Sequence, residues 1–111
     1  MSTAAQRHSK TVSEVRNVSV DMRGALDAGE LLTGTPTIVE VTSTDLTLDN
    51  KRVNTGSVTI NQVVCIAGQA VQFRVAGGVA SSTYTIRITV GTNATPAQTL
   101  VTSLRLYVTP D

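Results

Sequence analysis

One stretch of the sequence, residues 82–108, limits the possible folds more than any other, because its apolar residues recur at every second position. The apolar residues of its two halves are Tyr84, Ile86, Ile88 and Val90, then Leu100, Leu104, Leu106 and Val108, with Thr102 as the one interruption. Because successive side chains of a strand point to opposite faces, each half is predicted to be a strand with one buried face. The turn-forming residues 91–97 predict a hairpin with a long loop between them.

The rest of the chain repeats this pattern in shorter pieces, separated by turn signals about every ten residues. Further strands are predicted at residues 15–22, 31–43, 46–48, 58–60, 63–66 and 71–75. The segments 58–60 and 63–66 form either one bulged strand or two short strands. Residues 23–30 fit a single turn of helix, and Gly77–Gly78 predicts a sharp hairpin turn. The pattern indicates an all-β protein: an antiparallel, immunoglobulin-like β-sandwich of about seven strands.

The chain divides into two parts by composition. Residues 1–13 are polar, small and without periodicity, which predicts a short flexible N-terminal arm. This arm is either a solvated tail or a segment that orders against a neighbouring subunit. Residues 14–111 are predicted to form a single β-sandwich domain, since a chain of this length fits one core.

Composition excludes several partners. The formal net charge is +1, so there is no strong field to attract nucleic acid or an anionic membrane. No apolar run approaches the roughly 20 residues of a membrane helix, and residues 1–10 lack the apolar segment of a secretory signal. We therefore expect folding in a reducing cytoplasm. Charged residues are only 15% of the chain, and the abundant Thr and Ser that replace them are a weak indication of assembly with other proteins.

No grouping of residues predicts chemistry, so we expect no catalytic, cofactor-binding or metal-binding residues and no cofactor. Cys65 lies in an apolar run and is interpreted as a small buried hydrophobe, and the one histidine, His8, lies in the predicted arm. The carboxylates of Asp21, Asp27 and Glu30 share one loop, but their spacing does not match that of a calcium loop. We interpret them as turn and cap residues.

Three arginines on predicted strands are the best candidates for a binding role. Arg74, Arg87 and Arg105 could share the outward face of a sheet. Such a face is either simply solvated or a set of arginine anchors at a protein interface. Tyr84 and Tyr107 are isolated, whereas binders of single-stranded nucleic acid need several aromatic residues on one basic face.

Several segments together resemble a known family. They are residues 26–33 (LDAGELLT), 45–48 (DLTL), Gly77–Gly78 followed by residues 84–89 (YTIRIT), and residues 104–108 (LRLYV). Their order resembles the immunoglobulin-like fibre–tail adaptor or neck (collar) proteins of tailed bacteriophages. The likeness covers most of residues 15–108. The chain departs from the family pattern in having Asp21–Met22 where Trp is common and Glu30 where Asp is usual.

The resemblance implies a structural virion protein, made in the host cytoplasm, that acts by protein–protein adhesion in many copies. Its expected partners are other virion proteins (connector, tail, fibre or major capsid protein), with a homo-oligomeric ring or lattice and neither nucleic acid nor membrane. One alternative is capsid decoration on the head lattice. A carbohydrate- or receptor-binding module is a third hypothesis, but Phe73, Tyr84 and Tyr107 are its only aromatic residues. An enzyme is disfavoured because no catalytic grouping is present.

Overall fold

The computed structural model describes residues 6–41 and 43–111, and the side chains of residues 8–41 and 43–111. One 3₁₀ helix spans Arg23–Ala25. The strands are β1 (Gln6–Thr11), β2 (Arg16–Asp21), β3 (Leu32–Val41), β4 (Leu46–Val53), β5 (Val58–Ile60), β6 (Val63–Cys65), β7 (Ala70–Gly77), β8 (Ser82–Thr92) and β9 (Thr99–Thr109).

Two sheets form a sandwich, and a separate hairpin extends the smaller one. The four-stranded sheet has the order β1-β9-β8-β3, and the three-stranded sheet has the order β2-β7-β4. All neighbours in these sheets are antiparallel except β1, which runs parallel to β9. Strands β5 and β6 pair only with each other. The predicted all-β sandwich is confirmed, and so is the hairpin of β8 and β9.

The core lies between the two sheets and is filled by the alternating residues that the sequence pattern identified. The four-stranded sheet supplies Ile38, Tyr84, Ile86, Ile88, Val90, Leu104, Leu106 and Val108, and the three-stranded sheet supplies Val18, Val20, Phe73 and Val75. Thr102 shares the inner face of β9 and is buried with them. Complete burial of one such aliphatic side chain stabilises the fold by about 1.5–3 kcal/mol. The other face of each strand is therefore left for solvent or for partners.

The N-terminal segment differs from its prediction. Gln6–Thr11 was predicted to belong to a flexible arm, but the structure places it as β1 at the edge of the four-stranded sheet. Lys10 is 2% exposed, and its ammonium group donates to the carbonyl oxygens of Thr11, Val12 and Gly77 at 2.6–3.1 Å. Main-chain pairing and these carbonyls hold the strand, and neither leaves a hydrophobic pattern in the sequence. The rest of the predicted arm, residues 1–5, lies outside the described residues.

The Gly77–Gly78 pair also has a different role from the one predicted. It does not turn one strand back along its neighbour, because β7 and β8 belong to different sheets. Both glycines have positive φ, 82° and 102°. A Cβ atom on Gly77 would lie 2.8 Å from the carbonyl oxygen of Asp45. The pair is therefore a crossing between the sheets in which the backbone passes close to the loop before β4.

Residues 58–66 form two short strands, which decides between the two predicted possibilities. β5 and β6 are joined by Asn61 and Gln62, whose φ angles of 50° and 66° are those of a two-residue hairpin turn with both residues left-handed. The sandwich of three and four strands divides the chain much as an immunoglobulin-like fold would. The immunoglobulin-like assignment itself stays a prediction.

Candidate interaction surfaces

On the outer face of the three-stranded sheet, the polar side chains bind one another. Arg74 on β7 donates two hydrogen bonds of 2.8 Å to the carboxylate of Asp49 on β4. These bonds lower the pKa of Asp49 and raise that of Arg74. On the same face, Gln72 of β7 donates to the hydroxyl of Ser19 on the neighbouring strand β2 at 3.1 Å. This face therefore has few unused charges to offer to another molecule.

Asn54 fixes the β5–β6 hairpin to the end of the three-stranded sheet. It is buried directly after β4, and its amide nitrogen donates to the carbonyl oxygens of Gly56 and Ile66, both at 2.9 Å. Its side-chain oxygen accepts from the backbone N–H groups of Gly68, Gln69 and Ala70 at 3.0–3.1 Å. One side chain thus satisfies the backbone at both ends of the hairpin, which gives the hairpin a rigid base.

The loop before β4 is held in a similar way. The carboxylate of Glu40 accepts hydrogen bonds from the Ser43 hydroxyl and from the backbone N–H groups of Asp45 and Leu46. The hydroxyl of Tyr84 donates to the carboxylate of Asp45 at 3.0 Å. These two carboxylates are therefore occupied within the loop.

The outer face of the four-stranded sheet differs from that of the three-stranded sheet, and we call it the arginine face. It consists of the outward residues of three strands: Thr37 and Val39; Thr83, Thr85, Arg87 and Thr89; Val101, Ser103, Arg105 and Tyr107. Val101 is 61% exposed and Tyr107 is 43% exposed. Within the part of the chain that the structure describes, neither Arg87 nor Arg105 has an ion-pair partner.

The register of the strands places the two arginines side by side. Arg87 on β8 lies opposite Ser103 on β9, and Arg105 lies opposite Thr85, so the two arginines are diagonal neighbours on one face. Such diagonal neighbours are about 7–8 Å apart. Val39 lies opposite Arg87 on the third strand. Two guanidinium groups thus stand among exposed apolar and threonine side chains.

A groove of about 420 Å³ continues this surface towards β1. It is lined by His8, Ser9, Thr83, Arg105 and Tyr107. Burial lowers the pKa of His8 below its ordinary value of 6.5, and the charge of Arg16 lowers it further. The imidazole is therefore neutral at pH 7, and its buried Nε2 has no hydrogen-bond partner among the described residues. Among the described side chains, Arg105 is the cation that lines this groove.

The β5–β6 hairpin is the second exposed apolar surface. Val64 and Ile66 are 56% and 53% exposed, and Val63 is also exposed. Cys65 between them points inward and is fully buried. Burial raises the pKa of its thiol, and the nearby carboxylate of Asp21 raises it further. The thiol is therefore protonated at neutral pH, and the exposed part of the hairpin is uncharged.

Comparison with known families decides what kind of protein carries these surfaces. Residues 10–107 match the family model described as "Podophage GP4 fiber-tail adaptor protein gp77". The chain belongs to this podophage fibre–tail adaptor family. The match confirms the resemblance to fibre–tail adaptors and a structural role in the phage tail, and it does not favour capsid decoration. A comparison with curated proteins and a comparison with solved structures each find no match.

The residues that were considered for chemistry are separated in the adaptor. Asp21 binds Arg23, Asp27 accepts from Gln98, and Glu30 accepts from the backbone N–H of Asp27. Among the described residues, no three His, Cys, Asp or Glu side chains are grouped in a way that could hold a metal ion. No described helix has the length and apolar character needed to cross a membrane.

The three arginines that were expected to share one face do so only in part. Arg87 and Arg105 are together on the adaptor's arginine face, whereas Arg74 lies on the other sheet and binds Asp49. The sequence pattern placed all three on strands but carried no information about which sheet each strand joins. It also gave no signal for Asn54 or Lys10, whose partners are main-chain atoms.

Proposed function

We propose that this adaptor joins tail and fibre proteins of the podophage particle by non-covalent adhesion, without catalysing a reaction. The two sheets, including β1, act as a single sandwich domain, and the working surfaces are the arginine face and the β5–β6 hairpin. The observation that carries the proposal is that one rigid body offers two separate exposed surfaces of this kind. An adaptor needs two contacts that do not overlap, because it must hold two partners at once.

The positions of the two surfaces support simultaneous contacts. The arginine face lies on β3, β8 and β9 of the four-stranded sheet. The hairpin is a separate two-stranded sheet that follows β4 and precedes β7, so it lies at the end of the three-stranded sheet. Asn54 fixes the base of the hairpin through bonds to both of its ends. A load applied to the hairpin is therefore transmitted to the sandwich rather than absorbed by a loose loop.

Many copies strengthen this kind of contact. If copies form a ring on the tail, each contact can be modest, since linked binding events raise the overall affinity without any new contact. The partners we expect are the connector or tail on one side and the fibre on the other. The protein is made in the host cytoplasm and becomes part of the virion.

The test is binding of the purified protein to two targets: particles that lack the adaptor because its gene is disabled, and the purified fibre protein of the same phage. Light scattering gives the mass of the free protein, and co-sedimentation measures the binding. We expect the protein to bind both targets. A strictly monomeric protein that joins neither target would contradict the proposal.

A variant of the hairpin sharpens this test. V64D/I66D places two charges on the exposed apolar side chains without touching the core, and S57D/T47D is the matched control with the same charge at other exposed positions. We expect V64D/I66D to lose one of the two targets and to keep the other, while the control keeps both. Loss of both targets, or of neither, would show that the two surfaces do not serve separate partners.

A further inference from the structure

The carboxylate side chains of the adaptor all bind other groups of the same chain, three of them in ion pairs. Each of its eight carboxylates accepts at least one hydrogen bond or forms an ion pair with another residue of the same chain. The eight are Glu14, Asp21, Asp27, Glu30, Glu40, Asp45, Asp49 and Asp111. Glu30 keeps one oxygen without a partner, but that oxygen is buried. Each carboxylate side chain therefore already has a hydrogen-bond partner within the chain, and exposed Asp27 and Asp45 each keep one oxygen without a described partner.

The positive charges are distributed differently. Of the cations whose side chains the structure describes, most have a partner: Lys10 binds backbone carbonyls, Arg52 binds the Asn50 carbonyl, and Arg16, Arg23 and Arg74 each bind a carboxylate. Lys51, Arg87 and Arg105 have no hydrogen bond or ion pair among the described residues. Arg87 and Arg105 are on one face. Two of the three unpaired cations of the described side chains therefore lie together.

We propose that the partner held by the arginine face is an acidic protein surface that presents two carboxylates, one to Arg87 and one to Arg105. Guanidinium groups bind carboxylates through paired hydrogen bonds. Apolar groups of the partner would cover Val39, Val101 and Tyr107 around them. This inference rests on the proposed function, because it names the chemistry of one of the two partners that an adaptor must hold.

Two other binding partners for the arginine face, a second copy of this chain and nucleic acid, fit the observations less well. A second copy of this chain would have to meet the two arginines with carboxylates that each already hold at least one internal hydrogen bond. Nucleic acid carries a charge about every 1.7 Å of duplex and is met by rows of cations, whereas the described side chains of this face include two arginines beside exposed valines and one tyrosine. Paired charges with apolar surroundings are typical of a protein interface.

The experiment measures binding of four purified proteins to the adaptor-deficient particles and to the fibre protein, at about 50 mM and about 500 mM NaCl, since salt screens exposed charges. The proteins are the wild type, R87E/R105E, R87K/R105K and R16E/R74E. The last is the matched control, because it changes the charge equally at two exposed arginines outside the arginine face. Thermal unfolding confirms that each variant is folded, and R87Q/R105Q replaces the reversal if R87E/R105E does not fold.

We expect R87E/R105E to bind one of the two targets at least about 30-fold more weakly at low salt, whereas R16E/R74E stays within about threefold of the wild type. High salt should weaken binding of the wild type, whereas it should strengthen the residual binding of R87E/R105E, because salt screens the repulsion between its glutamates and the partner's carboxylates. R87K/R105K should recover part of the lost affinity, since it keeps the charge and loses the paired geometry.

Other results would overturn the inference. If the wild type binds and R87E/R105E binds equally well, the arginine face is not the contact, although the proposed function stands. If R87E/R105E changes the mass of the free protein, the occupant is a second copy. If a duplex oligonucleotide binds the wild type as tightly as the particles do, the occupant is nucleic acid. If the wild type binds neither target, the proposed function fails and this inference with it.

Discussion

On the outer face of the three-stranded sheet, Arg74 meets Asp49 through two hydrogen bonds of 2.8 Å, whereas on the four-stranded sheet Arg87 and Arg105 stand beside Val39 and Tyr107 without an ion pair among the described residues. Arginine therefore forms an ion pair on one face and has no ion-pair partner among the described residues on the other. This difference indicates that the two faces have different roles. Polar groups on the three-stranded side hold the fold together, and those on the four-stranded side are available for a partner.

The comparison makes a reciprocal prediction for substitutions. Changes on the outer face of the three-stranded sheet should lower stability and leave binding by the folded protein intact. Changes on the arginine face should lower binding and leave stability intact. Each of the variants below is measured in both assays, by urea unfolding and by binding to the adaptor-deficient particles and to the fibre protein.

The largest effect is expected for Asn54→Ala. The substitution leaves the Ala70 N–H without an acceptor among the described residues, whereas the N–H groups of Gly68 and Gln69 keep backbone acceptors. It also removes the hydrogen bonds to the carbonyl oxygens of Gly56 and Ile66. An unsatisfied buried group costs roughly 1–3 kcal/mol, so we expect the free energy of unfolding to fall by about 2–3 kcal/mol. Asn17→Ala, at an exposed position on β2, is the control and should change it little. A loss for Asn54→Ala as small as that of Asn17→Ala would mean that the hairpin is not fixed by this side chain.

Tyr107→Ala should produce the opposite pattern. Its ring is exposed on the arginine face, so its removal should cost about 2 kcal/mol of binding, a value typical of an aromatic hot spot. Stability should change by less than about 1 kcal/mol, because the buried face of β9 is untouched. Thr47→Ala, exposed on the three-stranded sheet, is the matched control and should change neither quantity. Lower stability with unchanged binding for Tyr107→Ala would place this residue in the fold rather than at an interface.

A smaller effect is expected for the ion pair on the three-stranded face. A double-mutant cycle of Arg74→Ala and Asp49→Ala should give a small stabilising coupling that high salt weakens, because both side chains are exposed. Binding to the particles should be the same for all four proteins of the cycle. If either single variant lost particle binding while still folded, the three-stranded face would have to be counted as a contact surface.

The smallest effect concerns His8 and pH. Its native pKa lies below the ordinary value of 6.5 because of burial and of Arg16, so the unfolded chain binds a proton more readily. Stability should therefore fall as the pH drops from 6.5 towards the native pKa, and it should be fully present at higher pH. His8→Gln should remove this part of the pH dependence in unfolding measured between about pH 5 and pH 8. An unchanged pH profile in His8→Gln would show that His8 is not its source.

The fold was predictable wherever burial leaves a period of two in the sequence. The sequence predicts β8 and β9 because every second side chain of these strands enters the core, among them Ile86, Ile88, Leu104 and Leu106. The sequence around Lys10 does not predict β1, because the partners of the Lys10 ammonium group are carbonyl oxygens, and one of them is 67 residues away in the sequence. The hairpin role assigned to Gly77–Gly78 was wrong because local turn signals do not reveal which sheet the next strand joins.

The arginine face could be predicted from the sequence only in part, as could the fold. Alternation places Arg87 and Arg105 opposite their buried neighbours and thus on outward faces. It places Arg74 outward in the same way, and only the strand order separates it from the other two. That the carboxylates are occupied follows from contacts between distant segments, such as Tyr84 with Asp45 and Arg74 with Asp49. No local pattern encodes such contacts.

The most direct test of the central claim is the accessibility of the two faces in the assembled particle. Cys65 is the only cysteine and is fully buried, so a cysteine introduced at Val101 on the arginine face, or at Thr47 on the three-stranded face, can be labelled with a maleimide against a low background. We expect Val101→Cys to react at least about tenfold more slowly in particles than in the free protein, as a residue inside an interface would. Thr47→Cys should react equally in both. Equal labelling of Val101→Cys in the free and assembled protein would contradict the claim that the arginine face holds a virion partner.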